Sequence, residues 1–109
     1  MSRFYVTFEI SALTERGDAD IQRCEAFIDA TLDALLDRSG LIDPDAGAEL
    51  ATGRVEFMAV VEASTPERAV STVGKLLRDC VAQVLRGSPG IDVEFLGATV
   101  EPNEVPAAS

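Results

Sequence analysis

The chain has 109 residues, the size of one hydrophobic core and too short for two ordinary ones. Apolar residues make up 47% of it, enough to pack that core, and the net charge is −10, with one Lys among nine cationic residues. That balance repels phosphate backbones and anionic bilayers, so neither a nucleic-acid nor a membrane partner is expected.

The first segment alternates. Phe4, Val6, Phe8 and Ile10 fall on one side and Tyr5, Thr7, Glu9 and Ser11 on the other, the period of a half-buried strand. Polar residues interrupt it too often for a signal peptide, and no run approaches the roughly 18 apolar residues of a membrane span. Thr14 to Asp18 reads as a loop. A helix is predicted from about Ala19 to Arg38, capped by Asp18 or Asp20. Its apolar stripe is Ile21, Cys24, Phe27, Ile28, Thr31, Leu32 and Leu35, and Gly40 ends it in the left-handed conformation.

Leu41 to Gly47 reads as irregular, with Asp43-Pro44-Asp45 as a turn and a short strand from Ala48 to Ala51. Thr52-Gly53 then reverses the chain into a strong strand from Arg54 to Ala63. On that strand Val55, Phe57, Ala59 and Val61 share one face, and Glu56, Met58, Val60 and Glu62 the other. Thr65-Pro66-Glu67 opens a second helix that runs to about Arg86, with Val70, Val73, Leu76, Leu77, Cys80, Val81 and Val84 inward. Gly87-Ser88-Pro89-Gly90 stops it. In the last strand, Ile91 to Val100, simple alternation puts Ile91, Val93 and Phe95 inward, and Leu96, Ala98 and Val100 outward.

The order strand, helix, strand, strand, helix, strand predicts an α+β two-layer sandwich. Its sheet is four-stranded and antiparallel, with both helices on one face. This βαββαβ pattern resembles the ferredoxin-like fold over residues 3–100. One domain is expected over residues 1–101, with a flexible tail over 102–109. The fold hosts many unrelated functions, so it predicts none of them.

The chain lacks histidine, which removes His-based nucleophilic catalysis, His proton shuttles and His-ligated metals. It carries neither the GxxxxGK[ST] nor the GxGxxG phosphate loop. A calcium loop starting at Asp43 would need Gly at its sixth position and Glu at its twelfth, where Ala48 and Arg54 stand. No metal or cofactor is therefore expected. Two cysteines are too few for a disulfide framework or a zinc site. Cys24 and Cys80 lie on apolar stripes and are expected to be buried, reduced and structural, and the expected compartment is the cytoplasm.

Two surfaces remain. Glu25, Asp29, Asp33 and Asp37, four residues apart, form an acidic ridge on the first helix, a candidate docking ridge for a basic partner. The sheet face turned away from the helices is expected to carry Tyr5, Thr7, Met58, Val60, Leu96 and Ala98 inside a rim of acids. An apolar centre with a charged rim is the composition of an interface. The leading expectation is a non-catalytic assembly module that pairs with itself, or with another protein, across this face. The alternative resembles the dimeric ferredoxin-like barrels, which enclose a small molecule between sheets. In an enzyme of that kind Tyr5, Glu9, Glu56 and Glu62 would be the acid/base groups.

Overall fold

The alternating N-terminal segment forms β1 (Ser2–Leu13), the strand around which the sheet is built. The computed structural model describes residues 1–87 and 90–103. It continues through α1 (Ile21–Leu36), β2 (Leu41–Glu49), β3 (Arg54–Ala63), α2 (Pro66–Gly87) and β4 (Asp92–Pro102). β1 is antiparallel to both β3 and β4, and β2 pairs with the free side of β3, giving the order β2-β3-β1-β4. With both helices on one face, this is the ferredoxin-like sandwich. No helix among the described residues is long and apolar enough to cross a membrane.

Local chemistry sets the helix boundaries. Asp20 is the cap of α1, its Oδ1 accepting from the Arg23 N–H at 3.1 Å, so the helix starts at Ile21 rather than Ala19. Gly40, with φ 93°, turns the chain away after α1, as its lack of a Cβ permits. At α2 the Thr65 hydroxyl accepts from the Arg68 N–H at 3.1 Å, Pro66 takes the first position and Glu67 faces the positive end of the dipole. Of the α2 stop sequence, Ser88 and Pro89 lie outside the described residues.

The core lies between sheet and helices. Phe4, Val6, Phe8 and Ile10 of β1 and Val55, Phe57 and Val61 of β3 are buried there, against Cys24, Phe27 and Leu35 of α1 and Val73, Leu77, Cys80 and Val81 of α2. Phe27 and Phe57 meet edge to face, 6.3 Å between centroids, and Phe8 meets Phe95 in the same way at 6.2 Å. Ile21, predicted on the apolar stripe of α1, lies 53% exposed at the first turn, beyond the reach of the sheet.

Three stretches depart from the sequence reading. Leu41–Gly47 is not irregular: it is most of β2, and the strand ends at Glu49 instead of running on to Ala51. Asp43-Pro44 is a bulge inside that strand. These two residues stand against Ala59 alone, between the pairs Ile42–Val60 and Asp45–Met58, and Asp43 takes φ 48°. Because β2 is an edge, the missing N–H of Pro44 breaks no central ladder. The hairpin that follows turns at Gly53, φ 74°, whose carbonyl accepts from the Ala12 N–H at 2.8 Å. A Cβ there would lie 2.8 Å from the Ala12 carbonyl oxygen, so the close approach to β1 requires glycine.

The second departure is in β4. The register against β1 shifts between Glu9 and Ile10: Gly97 pairs with Glu9 and Phe95 with Ile10, leaving Leu96 as an extra residue. The third is at the C-terminus, where the predicted tail begins as strand. Pro102 pairs with Phe4, and the Asn103 N–H donates to the Arg3 carbonyl at 2.8 Å. The rest of that tail, 104–109, lies outside the described residues.

Candidate functional site

Paired residues in a sheet share a face, so the ladder defines the open face row by row. One row reads Glu101, Tyr5, Val60, Ile42 across β4, β1, β3 and β2. The next reads Thr99, Thr7, Met58, Asp45; then Gly97, Glu9, Glu56, Gly47; then Glu94, Ser11, Arg54, Glu49. The face is therefore divided along the strands, with an apolar half around Val60 and a charged half around Glu9.

In the apolar half Val60 is only 8% exposed although no helix covers it, because Tyr5 and Ile42 flank it in the same row. Tyr5 remains 37% exposed. Met58 leans over Gly47, whose Cβ, if it had one, would be 3.9 Å from the Met58 Cε. Tyr5, Thr7, Met58 and Val60 thus come together as predicted from alternation.

Ala98 does not join them. It pairs with Phe8, and Val100 pairs with Val6, so both are on the helix side. The β4 bulge is the reason: one extra residue inverts the facing of everything beyond it. Leu96, the extra residue, is 42% exposed and borders a groove between β4 and α2 instead of the centre of the open face. Ile42 takes their place in the apolar patch. The signal that could have found it was Asp43-Pro44, since a proline inside an edge strand marks a bulge, and the extra residue reverses the facing that simple alternation back from Ala46 and Ala48 would give Ile42.

In the charged half Glu9 and Glu56 are direct cross-strand neighbours, an arrangement that destabilises unless a cation intervenes. Arg54, one row on, supplies the cation through an ion pair to the Glu9 carboxylate. Glu49, opposite Arg54, closes an open basin of about 330 Å³ with Gly47, Ala48, Glu9 and Glu56. Glu62 lies far away on β3, where it meets Arg3 at 3.4 Å. Four residue steps along the strand separate Tyr5 from Glu9, roughly 13 Å. The predicted acid/base set of Tyr5, Glu9, Glu56 and Glu62 is thus spread over the face, with only Glu9 and Glu56 directly paired across strands. The basin contains Glu9 but neither Tyr5 nor Met58. Among the described residues, no group of three or more Cys, Asp or Glu side chains is arranged to hold a metal ion.

The cysteines are free and buried. Burial pushes the Cys24 thiol up from its ordinary pKa, and Glu25 adds to the effect. Burial does the same at Cys80, with a smaller rise from Asp79, and it outweighs the opposite pull of Arg38. Both therefore stay protonated near neutral pH, which makes them poor nucleophiles.

The ridge residues Glu25, Asp29, Asp33 and Asp37 are all exposed, and none is in an ion pair among the described residues. Asp37 is also the C-cap of α1, its N–H donating to the Asp33 carbonyl at 3.3 Å.

No protein-family model matches this sequence, and no curated protein matches it. Solved structures do resemble it. Protein YJCS is similar with a TM-score of 0.64 and 11% identity, over 94% of this chain and 100% of that one. A de novo designed protein with a ferredoxin fold is similar with a TM-score of 0.53 and 20% identity, over 100% of this chain and 92% of that one. Protein SO0527 from Shewanella oneidensis has a TM-score of 0.51 and 11% identity, over 94% and 89% of the two chains. At such identities the likeness is one of fold, and the fold it shares with the designed protein is the ferredoxin-like one.

Proposed function

We propose that this chain is a non-catalytic assembly module that pairs with a second copy of itself across the open sheet face. The supporting observation is the row Tyr5–Val60–Ile42 with Met58 beside it, an apolar centre uncovered by any helix and bordered by Glu9, Glu56, Glu62 and Glu101. A face exposed only to water would be polar at nearly every outward position. The two sheet edges favour face-to-face pairing further, since each carries a bulge, Asp43-Pro44 in β2 and Leu96 in β4, and bulges discourage strand addition. The two free, buried cysteines fit a reducing compartment such as the cytoplasm.

The test is light scattering at micromolar concentration on the wild type and on Tyr5→Lys and Met58→Lys. Both side chains are on the open face and away from the helices, so the fold should survive. Each variant places an ammonium against its symmetry mate and should give monomers where the wild type gives dimers. A wild type that is already monomeric rules out self-pairing, and variants that stay dimeric move the interface elsewhere.

The small-molecule reading rests on the Glu9–Arg54–Glu56 basin, which a second sheet would roof over. It predicts saturable binding of a cationic small molecule that disappears in Glu56→Gln, whereas the assembly reading predicts a dimer unaffected by that change.

A further inference from the structure

A second concave surface lies on the other side of the sheet, between β4 and α2. Its volume is about 310 Å³, at the lower end of the roughly 300–1,000 Å³ of small-molecule sites. The lining is mostly apolar, Phe8, Val70, Phe95, Leu96 and Ala98, and the cation that borders it is Arg78.

The construction of the groove is specific. Gly74 is buried within α2, where glycine is less favourable than alanine. A Cβ at that position would lie 2.8 Å from the Phe8 Cζ and 3.1 Å from the Arg78 Nη1. Glycine therefore makes room both for the Phe8 ring under the helix and for the guanidinium beside it. That guanidinium sits over the Phe95 ring, 4.8 Å from its centroid. In a chain of net charge −10, Arg78 has no carboxylate partner among the described residues.

An apolar wall ending in an unpaired guanidinium is the complement of an apolar group ending in an anion. A peptide adding as a strand to β4 is disfavoured, because the Leu96 bulge interrupts the hydrogen-bonding edge beside the groove. We infer that the groove between β4 and α2 binds a small apolar monocarboxylate, its chain against Phe8, Phe95, Leu96 and Val70 and its carboxylate on Arg78. This inference is independent of pairing across the open face, which uses the opposite side of the sheet.

The probe is decanoate, titrated below its micellar concentration into the full-length protein, with decanol as the uncharged comparison. Backbone amide NMR shifts locate the binding and calorimetry measures it. Saturable decanoate binding is expected, with shifts at Val70, Ser71 and Phe95–Ala98, and tighter than decanol. Arg78→Gln should weaken decanoate about tenfold or more while leaving decanol unchanged, as expected for loss of a charge-assisted contact. Ala98→Phe, which fills the groove and keeps Arg78, should weaken both ligands and gives a second reading if Arg78→Gln folds poorly. Unsaturable binding, shifts centred on Tyr5 and Val60, or equal decanoate affinity in a folded Arg78→Gln would each overturn the inference.

Discussion

The two faces of the sheet are built from the same strands by alternate residues, yet they follow different rules. On the helix side Phe57 is 2% exposed and locked against Phe27, and its neighbours are almost all apolar. On the open side the next residue, Met58, is half-buried among Thr7, Asp45 and Gly47. The helix face carries most of the apolar burial of the domain, whereas the open face mixes apolar side chains with polar and charged ones.

The largest effect that tests this contrast is Phe57→Ala. It should destabilise the domain by about 3–5 kcal/mol in urea unfolding, while Met58→Ala one residue away should cost no more than about 1 kcal/mol in the monomer. Comparable losses at both positions would mean that the open face is part of the core.

A second pair sharpens the boundary at the β4 bulge. Val100 pairs with Val6 on the helix side and packs against the core, while Thr99 pairs with Thr7 and is exposed. Val100→Asp should cost about 1–3 kcal/mol and Thr99→Asp less than about 0.5 kcal/mol. The reversed order would mean that simple alternation holds through β4 and that there is no bulge at Leu96.

The smallest effect is the pH dependence from the buried thiols. Both folded-state pKa values are raised above those of the unfolded chain. Their contribution to stability is therefore complete below the unfolded value of about 8.5 and is lost as the pH rises through the folded values. Unfolding free energy should fall above about pH 9, and Cys24→Ala combined with Cys80→Ala should flatten that fall. Ellman's reagent should react slowly with the native protein at pH 8 and promptly after unfolding; prompt labelling of native protein would show that the thiols are accessible.

Alternation and capping were legible because they are local. β1 and β3 announce both of their faces in a period of two, and Asp20, Thr65 and Gly40 mark helix ends through groups that act within one turn. The candidate site was legible to the same extent: Tyr5, Thr7, Met58 and Val60 belong to regular strands. Ala98 was misplaced because nothing between Ile91 and Val100 other than Gly97 hints at an extra residue, and a glycine in a strand is a weak sign. Ile42 was missed because Asp43-Pro44 has the composition of a turn as well as of a bulge.

From residue chemistry alone follow the element order, the helix caps, the acidity and the missing histidine chemistry, because each depends on neighbours in the chain or on composition. The tertiary structure alone decides which face Ala98, Val100 and Ile42 occupy, that Arg54 meets Glu9, and that Gly74 makes room for Phe8 and Arg78. Those facts depend on strand register and on the approach of segments far apart in sequence. A single unpaired residue at Leu96 is enough to invert the facing of Ala98 and Val100, since strand facing has a period of two.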